Sequence, residues 1–342
     1  MIVKAGDLNC GEISIVADDC CFRDLETDWS DLWQRACDSR FHQRHDWCQS
    51  AWLNCLRHQG YKLHIVCARQ QGKLVAVLPL IKRNGLFRRS EYGFLTCLEH
   101  PKDVLVDRTV ANSGKLQSLL SQMLATCAGR IKISPVRSGS LLHQFADSAK
   151  IVATPALNAH VAVLQDADLE SFIRQTSKSA IAMERRSFRL LMREGPVSIC
   201  LSKPDDDFDR VFGVLVQQKR AWLLARKKSS RWLLDDKAIA CLQSFTKPAV
   251  AAGYAHLQSI NVDGECVVVT LSFQDHGTLT CFMHSYHPAF GRFSCGRLGI
   301  LAMMRNALRD DIRRFDFLGG TNDQKLSVTD QIVEQYAMEI KY

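Results

Sequence analysis

Residues 279–320 read LTCFMHSYHPAFGRFSCGRLGILAMMRNALRDDIRRFDFLGG. The run predicts a strand at 279–286, a glycine-containing loop at His287–Cys295, an amphipathic helix, and a second strand at 314–318 closed by Gly319-Gly320. Leu298, Leu301, Met304 and Leu308 recur at helical spacing and give the helix an inward face. Ser294 stands where a helix N-cap would, its hydroxyl placed to accept from an amide of the first turn. Gly296 and Gly299 remove side chains where the phosphates of a ligand would approach. The crossover should be right-handed, so the two strands become parallel neighbours. A helix N-terminus then lies at their carboxyl ends, where anionic ligands bind in open α/β sheets. The loop matches neither the G-x-G-x-x-G of dinucleotide folds nor the G-x-x-x-x-G-K-[ST] of P-loops. The alternative reading is that its glycines merely allow a tight turn.

The segments upstream supply the context. HLQSINV, Asp263-Gly264 and ECVVVTLSF predict a hairpin, preceded by helices at 207–225 and about 235–252. The first half follows a similar plan. Trp29, Leu32, Trp33 and Ala36, then Trp47, Ala51, Trp52 and Cys55, suit two helices with apolar faces. LHIVCARQQGKLVAVLPL predicts two strands joined at Gln71-Gly72, with Pro79 ending the second. A basic irregular stretch follows at 81–95, then a short strand at 103–110, a helix at 114–127, turns at 134–140 and a strand at 160–164. Segment 168–194 reads as one or two helices stopped by Gly195-Pro196. On it Lys178, Arg185, Arg189 and Arg193 form a basic stripe with Arg186 beside it. Helices followed by strand–turn–strand therefore occur twice, about 190 residues apart, as in an internal duplication. The first half has no counterpart of the glycine loop. The expected division is 1–165, a connecting basic helix at 166–195, and 196–342.

Composition bounds the class. The chain has 342 residues, 46% hydrophobic and 23% charged, with a formal net charge of +8. It is globular and long enough for two domains. No apolar run approaches a membrane span. The N-terminus, with Asp7, Glu12, Asp18 and Asp19, does not read as a secretory signal, so a cytoplasmic location is expected. The 14 cysteines include no C-x-x-C pair, and adjacent Cys20-Cys21 do not suit one tetrahedral metal site. Cys67, Cys200, Cys266 and Cys281 fall in apolar runs and read as buried free thiols. His42 and His45 lack a third ligand nearby and read as surface residues. No metal is expected.

The order hairpin, third strand, glycine loop, helix, parallel strand resembles that of the GNAT acyltransferases. Residues 256–325 are similar to the GNAT subfamily of CelD-type proteins, linked to cellulose synthesis and distantly similar to FemAB-type aminoacyltransferases. The residues that carry the likeness are Asp263-Gly264, Tyr286-His287-Pro288-Ala289, Ser294-Cys295-Gly296, Phe315-Asp316-Phe317-Leu318-Gly319-Gly320 and Gln324-Lys325. Weaker echoes are Lys219-Arg220-Ala221-Trp222, Ser177-Lys178, Arg185-Arg186, Phe41 with Trp47 and Trp52, and Leu78-Pro79-Leu80. Departures are His287 for the usual Asp, Cys295 for Pro, Gln324 for Tyr, and no Trp after Lys325.

The resemblance implies an α/β protein of two GNAT-like halves, each a mixed sheet with helices, with an acceptor cleft between them. It implies that acyl-CoA, in the first instance acetyl-CoA, binds with its diphosphate on the amides of Ser294, Cys295, Gly296, Arg297, Leu298 and Gly299. Arg292 and Arg297 would contact phosphates, and the pantetheine arm would lie between strands 279–286 and 314–318. Tyr286 would protonate the leaving sulfur, Asp316 orient the acceptor, Lys325 balance charge on an anionic substrate, and Asp103 act as base. Each has a plainer alternative in packing, capping or solvation. A nucleophilic role for Cys295 lacks a His-Asp relay. The expected reaction is N-acyl transfer to an amine of a sugar, an amino acid or a cell-envelope precursor, with O-acylation of a saccharide as a variant. The rivals are an aminoacyl-tRNA donor, for which the basic stripe would be the docking surface, and a non-catalytic accessory protein of polysaccharide synthesis.

Overall fold

The computed structural model describes residues 12–84, 90–164, 168–204, 207–320 and 323–341. The expectations resting on residues 1–11, on 85–89 of the basic stretch, and on the boundary at 165/166 fall outside these. The chain divides into two compact units, Met1–Leu157 with Glu334–Tyr342, and Asn158–Val333.

The first unit runs β1 (Glu12–Val16), α1 (Asp19–Asp24), α2 (Glu26–Arg35), α3 (His45–Asn54), β2 (Lys62–Gln70), β3 (Lys73–Asn84), β4 (Ser90–Phe94), β5 (Leu105–Val106), α4 (Arg108–Ala111), α5 (Leu116–Ala125), β6 (Gly129–Arg137), α6 (Leu141–Ser148) and β7 (Ala153–Pro155). The second contains β8 (Ala159–Val163), α7 (Leu169–Thr176), α8 (Ala180–Glu194), β9 (Val197–Leu201), α9 (Phe208–Ala225), α10 (Asp236–Ala251), β10 (Ala255–Val262), β11 (Glu265–Asp275), β12 (Thr278–Tyr286), α11 (Cys295–Arg309), β13 (Arg314–Gly319), α12 (Asp323–Leu326) and β14 (Gln331–Val333). The last strand, β15 (Gln335–Lys341), returns to the first unit.

The two sheets have one plan. Their strand orders are β1-β2-β3-β4-β6-β15-β7, with β5 beside β3, and β9-β10-β11-β12-β13-β8-β14. Position by position these correspond, down to a parallel pair in the middle: β4 with β6 and β12 with β13. The sixth strand of each sheet is out of chain order: β15 is the last strand of the chain, and β8 is the first element of the second unit. The hairpin turns also match. Gln71 and Gly72 have φ 51° and 79°; Asp263 and Gly264 have φ 49° and 78°. Positive φ at both central residues is the type I′ geometry, whose twist suits a two-residue hairpin.

Several sequence expectations change. Strand β3 continues past Pro79 to Asn84. Pro79 accepts from Leu95 N–H at 2.9 Å on its outer side, where the neighbouring strand changes from β5 to β4. Its missing N–H therefore removes no ladder bond. The expected turn at 134–140 is largely strand β6. His42 and His45 are buried at 8% and 2% exposure. His42 stacks on His100 at 4.3 Å, and His45 Nε2 lies 2.9 Å from the Phe22 carbonyl, so both belong to an aromatic nest. Burial lowers both imidazoles from the usual range. Cys67, Cys266 and Cys281 are buried, but Cys200 is exposed on edge strand β9. Lys178 lies in the turn before α8 rather than on it.

Candidate functional site

The central feature of the second unit is a gap between its two parallel strands. β12 and β13 pair only through Thr278–Arg314, Leu279–Phe315 and Thr280–Asp316, although β12 continues to Tyr286. Two irregularities part them. On β12, Met283 pairs with Leu271 and Cys281 with Ser272, which leaves Phe282 as a bulged extra residue. On β13 the register with β8 breaks between Asp316 and Gly319, and Leu318 takes φ 55°. Asp316 holds that turn, its Oδ1 accepting from Leu318 N–H at 2.8 Å. Bulges bend strands and redirect their edges. Beyond Thr280 and Asp316, the facing backbone edges are therefore not bonded to each other.

Helix α11 starts at the mouth of this gap, after a turn at Pro288–Phe293. Ser294 occupies the N-cap position but in the left-handed region, φ 54°, and its hydroxyl makes no capping bond. Its carbonyl instead accepts from Arg297 N–H at 2.9 Å and Leu298 N–H at 3.3 Å. The amides of Cys295 and Gly296 are thus the first-turn donors that this bonding leaves for a ligand. The Cys295 thiol is buried, donates to Phe290 carbonyl at 3.2 Å, and is pushed up to about 12 by burial. That describes a packed thiol rather than a nucleophile.

The two helix glycines serve different ends. A β-carbon on Gly299 would lie 2.6 Å from His284 Cε1 and 2.6 Å from Val268 Cγ1. Gly299 is therefore needed for close approach of α11 to the sheet, which corrects its expected place beside phosphates. A β-carbon on Gly296 would meet Gln324 Nε2 at 2.3 Å, so the Gln324 amide lies against the first turn. Leu298 is buried in the core formed with Ile260, Val262 and Phe293. Arg292 is paired with Glu194 at 3.1 Å and lies over the Phe293 ring. Arg297 touches Met183 Sδ at 3.4 Å, and its Nε is buried without a hydrogen-bond partner among the described residues.

Asp316 and Lys325 come together by the gap, joined by Cys281 and Lys219, which the sequence reading did not place there. Lys325 Nζ donates to the carbonyls of Gly319 at 2.8 Å and Gly320 at 3.0 Å. Burial lowers its ammonium to about 8. Lys219, from α9, donates to the His284 carbonyl at 3.0 Å and is lowered by burial. Asp316 is 3% exposed. Its expected alternation with Phe315 and Phe317 leads to a buried environment on its own face too. Tyr286, at the far end of β12, is half-buried and packs against the α8–α11 core. His284 was also missed: its Nδ1 lies 2.9 Å from Thr270 Oγ1, its Nε2 is buried without a partner among the described residues, and burial lowers it to about 3. A histidine in a mixed strand gives no sequence signal that it lies beneath a glycine.

Asp103, in the first unit, has both oxygens committed to backbone. Oδ2 accepts from Leu141 N–H at 3.0 Å, and Oδ1 from Leu142 N–H at 2.8 Å and Val104 N–H at 3.0 Å. It caps α6, and burial outweighs these bonds to raise its carboxyl to about 7. On α8, Arg185 pairs with Glu170 at 2.9 Å, while Arg186, Arg189 and Arg193 are exposed. Among the described residues no three His, Cys, Asp or Glu side chains gather as a metal site, and no helix is long and apolar enough to cross a membrane.

Comparison with known proteins bears on this geometry. Residues 178–326 match the family model described as acetyltransferase (GNAT) domain. The chain is similar in fold to a crystal structure of FemX, with TM-score 0.63 and 10% identity over 90% of this chain and 95% of that one. The C-terminal domain of a protein described as a lysylphosphatidylglycerol synthetase from Agrobacterium fabrum gives TM-score 0.58, 11% identity and 92% coverage of each. A tandem GNAT protein from the clavulanic acid pathway gives TM-score 0.51 and 14% identity over 96% and 98%. Identities of this size establish likeness of fold alone. No curated protein sequence matches significantly.

Proposed function

We propose, from the match of residues 178–326 to the acetyltransferase (GNAT) domain model, that the chain moves an acyl group, acetyl in the simplest case, from acyl-CoA to an amine. The acceptor class is a sugar, an amino acid or a cell-envelope precursor, in keeping with the CelD-type features of residues 256–325. The observation that carries this reading is the gap between β12 and β13 with the first turn of α11 at its mouth.

The residues fit such a donor in two ways. The unbonded edge of β12 beyond Thr280 offers amides and carbonyls to the pantetheine arm, as one strand does to another. The amides of Cys295 and Gly296, with the unsatisfied Arg297 Nε, offer donors to the diphosphate. When bound, acyl-CoA supplies the activated carbonyl. The protein supplies orientation and charge placement. Lys325, whose ammonium burial lowers to about 8, places a positive charge with a transferable proton beside the Gly319-Gly320 turn. Tyr286 is proposed to return a proton to the leaving sulfur. Asp316 acts as a positioning residue, because it fixes the bend at Leu318 that opens the gap.

A second reading has an observation of its own. The Gln324 amide lies where a diphosphate would rest, and Arg186, Arg189 and Arg193 are exposed on α8. Both features suit an aminoacyl-tRNA donor, which needs no coenzyme A cradle. Thermal unfolding in the presence of coenzyme A, acetyl-CoA or aminoacyl-tRNA separates the two. Saturating ligand at about 100 times Kd stabilises by about 2.7 kcal/mol. Protection by acetyl-CoA and thiol release on an amine panel support the first reading; protection by aminoacyl-tRNA alone replaces it. Protection by acetyl-CoA without turnover on any amine points to an accessory protein of polysaccharide synthesis.

A further inference from the structure

Between α8, the β9–β10 edge and α11 lies a cavity of about 440 Å³, within the size range of small-molecule sites. It lies on the far side of β11 from the gap, because the strand order is β12-β11-β10-β9. Nothing in the proposed transfer reaction uses it.

Its floor is β10. Side chains alternate along a strand, so Gln258 shares a face with Ile260 and Val262, which join the apolar core there. Gln258 is the polar exception on that row. It is 4% exposed, it lines the cavity, and its Nε2 has no hydrogen-bond partner among the described residues. A buried amide donor left unmatched marks a place for an acceptor. Ile199 and Leu201 pair with Ile260 and Gln258, so they share this face. They remain 51% and 47% exposed at the rim.

The cavity is polarised along its length. β10 runs parallel to β12, because each is antiparallel to β11. The helix α11 returns from the end of β12, so it runs against β10. Gln258 precedes Ile260 on β10, so of the two it lies toward the late α11 residues Asn306 and Arg309, which line the same cavity. Ile260 lies beside the earlier Ala302 and Leu298. One end is thus rich in donors and the other apolar. Charge then selects the ligand. Arg305 is neutralised by Glu184, which it contacts through both nitrogens of its fork. Arg309 has no carboxylate partner among the described residues and leaves one positive charge.

We propose that this cavity binds a small amphipathic monocarboxylate, with its head at Gln258, Asn306 and Arg309 and its body on Ile260, Ala302 and Leu298. A single uncompensated guanidinium beside Glu184 favours one negative charge over two. The test is calorimetric titration of the full chain with sodium octanoate and with 3-phenylpropionate. Octan-1-ol and octylamine carry similar bodies with other heads. The expected result is binding of a carboxylate, about tenfold weaker binding of the alcohol and none of the amine. Gln258→Leu and Arg309→Ala should each weaken carboxylate binding about five- to tenfold, and Ala302→Phe should abolish it by filling the apolar end. Should Ala302→Phe fail to fold, Arg309→Ala, on an exposed last turn, carries the test. Absence of carboxylate binding at millimolar concentration, equal affinity for the alcohol, or unchanged binding in Arg309→Ala would each overturn the assignment.

Discussion

The side-chain amide of Gln324 lies against the backbone of Gly296, so close that a β-carbon on the glycine would come within 2.3 Å of Gln324 Nε2. The contact joins α12 to the first turn of α11, the turn proposed to hold the donor's diphosphate. A ligand there must displace the amide or share the amides with it. Gln324→Ala removes the competitor, and coenzyme A should bind about five- to tenfold tighter, the worth of one neutral hydrogen bond. Isothermal titration measures it. Weaker binding in the variant would make Gln324 a donor ligand rather than an obstacle.

The two glycines of α11 should respond differently to alanine. At Gly296 the added methyl meets only the flexible end of Gln324, and the helix propensity gained, about 0.5–1 kcal/mol, offsets the crowding. At Gly299 it meets the His284 ring and a Val268 methyl, both at 2.6 Å, and neither can rotate away in a packed sheet. Overpacking of this kind costs about 1–3 kcal/mol. Urea unfolding should show Gly296→Ala near the parent and Gly299→Ala well below it. Equal midpoints would mean that α11 can shift off the sheet.

Much of this was legible in residue pattern. Helical spacing of Leu298, Leu301 and Met304, and alternation in ECVVVTLSF, record which faces are buried, and burial governs both fold and sequence. The Asp263-Gly264 turn was readable because few residues tolerate positive φ in succession. What escaped were contacts between distant segments. Gly299 was read as making room for a ligand, yet the room is taken by His284, and no local feature tells these apart. Ser294 has the right chemistry for a cap, but its left-handed backbone turns the hydroxyl away from that role. Asp103 has the chemistry of a base, and its oxygens are instead bonded to α6, some 40 residues on. His42 and His45 read as surface polar residues because their aromatic neighbours Phe22 and His100 are far away in sequence.

Asp316 and Leu318 form a testable couple. The carboxylate accepts the Leu318 amide at 2.8 Å and holds a non-glycine residue at φ 55°. Removing it leaves a part-buried amide unmatched and a strained backbone unsupported. Asp316→Ala should cost about 1–3 kcal/mol. In that background Leu318→Gly should recover part of the loss, because glycine adopts positive φ freely. A double-mutant cycle by chemical denaturation measures the coupling; strict additivity would show that Asp316 does not act through Leu318.

Lys325 predicts a pH dependence whose sign is fixed by its environment. Burial lowers its ammonium from 10.5 to about 8, so the folded protein sheds this proton before the unfolded chain does. Below about pH 8 both states carry it, and the folded state bears the cost of a desolvated charge. Between about 8 and 10.5 the unfolded chain binds more protons, and stability rises with pH through that window. Lys325→Met abolishes this contribution together with the bonds to Gly319 and Gly320. Unfolding free energies at pH 7 and pH 9.5 should therefore show the parent gaining on the variant as pH rises, whatever other groups titrate in both. If Lys325 also serves in transfer, turnover of the variant should fall by at least about tenfold while coenzyme A affinity changes little. A parent-to-variant difference that stays constant between pH 7 and pH 9.5 would mean that the amine is solvated with its ordinary pKa, and would remove it from both roles.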